Sequence, residues 1–146
     1  MPNWVYLAIN FLYHLGLAIW IGGALVLGAL VAPALFRALP RADAGAIFGP
    51  TLRRFSRLRC VAIALVVIGA AVKYVVWERN AANPWIAIRW VAIAALAVDV
   101  AYEIGVLEPA LERARGDAEL FARQHKRSEL LMKSALVAAV VALFFS

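Results

Sequence analysis

VYLAINFLYHLGLAIWIGGALVLGALVA, residues Val5 to Ala32, contains no aspartate, glutamate, lysine or arginine, and its only strongly polar members are Asn10 and His14. About 20 helical residues cross a hydrocarbon core about 30 Å thick, so the run is long enough to span a bilayer. The whole chain points the same way. Of its 146 residues 65% are hydrophobic and 16% charged, with a mean hydropathy of +0.82, whereas soluble domains hold about 45–50% apolar residues. One soluble core could not hide that surplus, so the sequence describes an integral membrane protein. A cleaved leader is not expected, because Met1 to Asn3 carries no basic residue and the apolar run is too long.

Working outward, three further apolar stretches follow, at about 60–77, 85–107 and 130–145. Together with 5–32 they predict an all-α, polytopic four-helix bundle forming a single transmembrane domain over 1–146. Pro33 ends or bends the first span, and Arg37 to Pro50, with Pro40, Asp43, Gly45 and Gly49, reads as a turn-rich connector with some helical pattern. Asn83 and Pro84 favour turn initiation between spans two and three. Leu107, Leu111, Ala114, Ala118 and Phe121 recur at helical spacing, interrupted by Gly116 and Asp117. Glycine suits a helix C-terminus and aspartate an N-cap. The third span should therefore project to about Arg115 and the last helix begin near Asp117, making a cytoplasmic helical hairpin extension. No internal repeat stands out.

Cytoplasmic flanks keep an excess of lysine and arginine. Arg37, Arg41, Arg53, Arg54, Arg57, Arg59, Arg113, Arg115, Arg123, Lys126, Arg127 and Lys133 fall on one side, and Lys73, Arg79 and Arg89 on the other. Both connectors are thus expected inside and both termini outside a bacterial inner membrane, with Trp4, Tyr6, Tyr74, Trp77, Trp85 and Trp90 as the outer aromatic belt. The net charge of +6 is topological, and nucleic acid is not expected as a partner, because the aromatics cluster away from the arginines.

Ionisable groups inside spans are candidates for function. His14 lies near the bilayer middle, Asp99 about 21 Å below Trp85, Glu103 one turn deeper, and Lys133 just inside its span, at a depth similar to Asp99. One reading is a proton or ion relay, or a metal site of His14, Asp99 and Glu103. The other is structural: Asp99 pairs with Lys133, Glu103 pairs with Arg57 or Arg59, and His14 satisfies a neighbouring helix. Ala18 and Gly22 continue the His14 face with small residues, which allow close helix approach or leave room for a ligand.

Haem held by His14 and His125 is not expected, since their depths differ by well over about 10 Å. Cys60, the lone cysteine, excludes an internal disulfide. Gly16, Gly22, Gly23 and Gly28 read as a packing seam rather than a phosphate cradle. Ser56, Ser128, Ser134 and Ser146 lie at or near span ends, and no catalytic constellation of serine, histidine and acid is evident, so an enzyme is not expected.

HLGLAIWIGGALVLGALVAPALFRALP, from His14 to Pro40, resembles the opening of the small bacterial four-helix membrane proteins related to transmembrane protein 205. The likeness includes the early histidine, Trp20 before Gly22 and Gly23, and the exit Ala32 to Phe36. The stretch from Phe121 to Ser128, with His125, resembles the same family's last segment. Met132 and Lys133 stand where that family often has an asparagine. A more distant resemblance is to copper-resistance membrane domains, which share a histidine-containing first span with tryptophan and paired glycines. The first resemblance implies the four-helix fold and leaves the activity open. Two functions are expected to compete: an accessory or assembly subunit, or membrane-embedded binding protein, in a homo-oligomer or larger complex in the lipid bilayer; and a small transporter or metal-handling protein.

Overall fold

The structure is a computed structural model and describes residues 3–81, 83–114 and 118–146. Among the described residues the helical segments are, in order, α1 (Asn3–Leu25), a π-helical turn (Val26–Val31), α2 (Ala32–Ala38), α3 (Arg41–Lys73), a second π turn (Tyr74–Glu78), α4 (Pro84–Tyr102), a third π turn (Glu103–Leu107), α5 (Glu108–Arg113) and α6 (Ala118–Phe144). Where segments abut, they run on as long helices. Three of these, Asn3–Ala38, Asp43–Glu78 and Pro84–Arg113, are long and apolar enough to cross a membrane. Helix α6 is long but falls short in composition, because Glu119, Arg123, Lys126, Arg127, Glu129 and Lys133 occupy its first two thirds. The expected fourth crossing is therefore not established by composition.

Proline decides where these helices break and where they bend. Pro33 has no N–H and its ring crowds the preceding turn, yet the helix does not end there as one reading of the sequence allowed. It widens instead, with the Ala32 N–H reaching back five residues to the Leu27 carbonyl, which makes the room an α turn lacks. The same device precedes Pro109, where the Glu108 N–H reaches the Glu103 carbonyl. The true break is at Leu39 (φ −127°, ψ 154°), because a residue before proline is pushed out of the α region, and Pro40 follows. Helix α3 then starts at Arg41 and passes through Gly45, Gly49 and Pro50. The turn-rich connector read from Arg37 to Pro50 is corrected to a two-residue break and a longer helix. Asn83 caps α4, its Oδ1 accepting from the Trp85 N–H at 3.0 Å, with Pro84 in the first turn. The expected break near Gly116 and Asp117 lies outside the described residues.

The chain divides into two compact units, 1–82 and 83–146. In the first, α1 and α3 pack antiparallel. Tyr6 meets Trp77 edge to face at 5.2 Å, Tyr13 covers Gly69, Gly16 lies on Ala62 and Val66, the Phe55 ring fills the space beside Gly23, and Phe36 meets Phe48 at 6.1 Å. Of the expected glycine seam, Gly16 and Gly23 pack, whereas Gly22 and Gly28 face open space. In the second unit α4 packs with α6. Ala135, Ala139 and Ala142 form the buried ridge of α6, and Trp85 stacks on Phe145 with ring centroids 5.2 Å apart. Leu107 and Ala114 are buried, in keeping with the amphipathic pattern read there.

Candidate functional site

The first unit buries two cations. Lys73 is 3% exposed; its ammonium donates to Asn10 Oδ1 at 2.9 Å and sits 5.4 Å from the Tyr13 ring centroid and 5.9 Å from that of Tyr6. The backbone of the same Asn10 serves His14, whose Nδ1 lies 2.7 Å from the Asn10 carbonyl oxygen. A carbonyl can only accept, so Nδ1 carries the proton and Nε2 is the acceptor nitrogen. One asparagine thus ties His14 on α1 to Lys73 on α3. The ring of Tyr13 adds an edge contact to His14 at 5.4 Å. Sequence reasoning placed Lys73 on the outer flank and missed its burial. The available signal was its position after thirteen uncharged residues, on the same helical face as Ala62, Val66 and Gly69.

Arg59, 1% exposed, is the second cation. Its Nη2 donates to Ser56 Oγ at 3.1 Å, and the guanidinium lies 5.5 Å from the Trp20 ring and 5.3 Å from the Phe55 ring. Guanidinium is weakly hydrated and stacks on aromatic faces, which suits it to this depth better than lysine would be. Arg57, two residues earlier, is exposed, so of the two arginines singled out only Arg59 belongs to the interior. The Trp20 indole N–H is also buried and meets no acceptor among the described residues.

In the second unit the buried face of α4 runs Arg89, Ala92, Ile93, Leu96, Asp99, Val100, and Glu103 and Leu107 continue it through the π turn. Spacings of three and four put both carboxylates on the packed side of the helix, as the sequence predicted for Asp99. Arg89 on this face was read as an outer-flank residue, and its burial was missed. Lys133 behaves differently. It is brought to Glu129 at 2.7 Å and its side chain is 69% exposed, so the structure joins it to Glu129 and not to Asp99. That hydrogen bond, with the lysine's charge, holds the exposed Glu129 carboxyl below its ordinary value. His125 is exposed on α6.

Three helices long and apolar enough to cross a membrane carry buried arginine, lysine and carboxylates along their packed faces. Residues 15–120, well over half of the chain, match the family described as a domain of unknown function (DUF4149), and the chain belongs to that family. No curated protein and no solved structure matches the chain.

Proposed function

We propose that the chain is an integral protein of the bacterial inner membrane, crossing it four times with both termini outside, and that it serves as an accessory or assembly subunit. Its partner is a membrane helix, from a second copy of the chain or from a larger complex. The observation that carries this reading is the outward face of α1, where half-buried His14 is followed by exposed Ala18 and exposed Gly22, with open space beside Gly22. Membrane helices associate through small residues that let backbones approach, with polar side chains adding hydrogen bonds across the contact. Bulky aliphatics would serve better if this face met only lipid tails. Cross-linking in native membranes tests it: Gly22→Leu should abolish a cross-linked species that Gly28→Leu, on another face of the same helix, leaves intact. An unchanged species in Gly22→Leu removes this reading.

The second reading is a transporter or metal-handling protein using His14, Asp99 and Glu103, in line with the distant resemblance to copper-resistance domains. What favours it is the tautomer of His14: a histidine that donates Nδ1–H to a carbonyl offers Nε2 as a ligand in the manner of many metal sites. Metal analysis of protein purified in mild detergent decides it. This reading requires a bound metal that His14→Ala and Asp99→Asn both remove at undiminished yield, and metal-free protein excludes it.

A further inference from the structure

We infer that the chain is an internal duplication, in which the hairpin of 83–146 is a second copy of the hairpin in 1–82, and that each buried ionisable residue is present in one copy alone. The first sign is at the proline bends. Pro33 to Ala38 reads PALFRA and Pro109 to Ala114 reads PALERA, and each follows directly on a π turn whose last N–H reaches back five residues.

Burial carries the match through the helices. With Pro33 set on Pro109, the buried residues of α1, namely Tyr13, Gly16, Leu17, Trp20 and Ala24, fall on Arg89, Ala92, Ile93, Leu96 and Val100, all buried on α4. The outward residues correspond too: Ala18 and Gly22 fall on Ala94 and Val98, exposed in both copies. In the second helices, with a connector shorter by three residues, Ala62, Val66 and Gly69 fall on Ala135, Ala139 and Ala142, again all buried. Arg53 and Arg54 then fall on Lys126 and Arg127, exposed in both copies. A helix has 3.6 residues per turn, so two unrelated helices could share a face by chance. Sharing the face, the register to a π turn, the proline and the following PAL-x-RA is a far stricter coincidence. Letters alone concealed the relation because apolar residues of similar volume replace one another readily in packed helices.

The burial match loosens at Phe55, Ser56 and Ala70, buried in the first copy, whose counterparts Ser128, Glu129 and Leu143 are not, and at the five buried ionisable positions the other copy carries no like residue. Arg89, Asp99 and Glu103 of the second copy fall on Tyr13, Gly23 and Leu27 of the first, while Arg59 and Lys73 of the first fall on Met132 and Ser146 of the second. The scaffold is shared and the buried charges are not. The first copy carries only cations, on its second helix; the second carries both carboxylates, on its first. In duplicated membrane proteins the repeat supplies the frame, and here the diverged charges mark the residues added to it. The correspondence also makes α6 the counterpart of α3, a membrane-crossing helix despite its charged start.

The duplication rests on the four-crossing reading only for α6, and two measurements on the full-length chain in a Cys60→Ser background separate the two. Single cysteines at Ala38 and Arg113 should react with an impermeant reagent from one side of the membrane, and cysteines at Arg79 and Ser146 from the other. Ser146 reacting together with Arg113, or Ala38 and Arg113 reacting from opposite sides, overturns the duplication; both pairs exchanging sides together upholds it and overturns only the orientation. Spin labels at Ala18 and Ala64 should give the same distance as labels at Ala94 and Val137, the equivalent exposed pair. A difference of more than one helical turn, about 5 Å, overturns the duplication whatever the topology.

Discussion

Gly16 and Gly22 are the same residue type six positions apart on one helix, and their surroundings assign them opposite roles. A Cβ on Gly16 would stand 2.5 Å from the Ala62 carbonyl oxygen and 2.8 Å from Val66, whereas one on Gly22 would meet nothing within 4 Å. Backbone cannot step aside as a side chain can, so Gly16→Ala should cost about 1–3 kcal/mol through overpacking. Gly22→Ala, whose Cβ meets nothing within its own chain, should cost less than Gly16→Ala. Thermal unfolding in detergent compares them; equal melting temperatures would mean that the helices do not approach at Gly16. The sequence announced a small-residue seam but not its direction, because Gly16, Gly22, Gly23 and Gly28 lie on several faces of one helix and only the position of α3 selects among them. Buried charge was equally half legible. Asp99 and Glu103 were found because carboxylates inside an apolar run are conspicuous. Lys73 and Arg89 near span ends looked like topological flanks, and only packing separates a buried lysine from one that reaches water.

At the level of the helix, proline has several outcomes among the described residues, Pro84 opening α4 being one. Pro40 stops a helix, Pro33 and Pro109 follow widened π turns, and Pro50 sits inside α3. The sequence could not distinguish these, since proline lacks the same N–H in each case and the surrounding chain decides whether the loss is absorbed. At Pro50 no π turn absorbs it, and the Ala46 carbonyl loses the N–H that an α-helix would supply. Pro50→Ala should therefore stabilise the protein by up to about 3 kcal/mol. Pro33→Ala should gain less, because the preceding turn has already adapted. Melting temperatures of the two variants check this ordering, and a larger gain at Pro33 would contradict it. Asn83 and Pro84 were read as starting a turn between two spans; the structure shows that Asn83 also caps the helix that follows, its side chain accepting from the Trp85 N–H.

For the molecule as a whole, composition and the length of the apolar runs were enough to foresee an all-α chain with helices long and apolar enough to cross a membrane. The division into two compact units was not legible, since it lies in which helices pack together rather than in composition. The charge asymmetry makes a prediction on this scale: a cysteine replacing Leu39, between Arg37 and Arg41, should be protected from an impermeant reagent in intact cells and react after permeabilisation. Reaction in intact cells would place the basic connectors outside. The central functional claim is that the His14, Ala18 and Gly22 face is covered by another helix. It is tested most directly by the mass of the protein purified in mild detergent, measured with the detergent contribution subtracted. The wild-type protein should be heavier than one chain and fall to a single chain in Gly22→Leu; a wild-type protein that is already a single chain leaves that face without a partner helix.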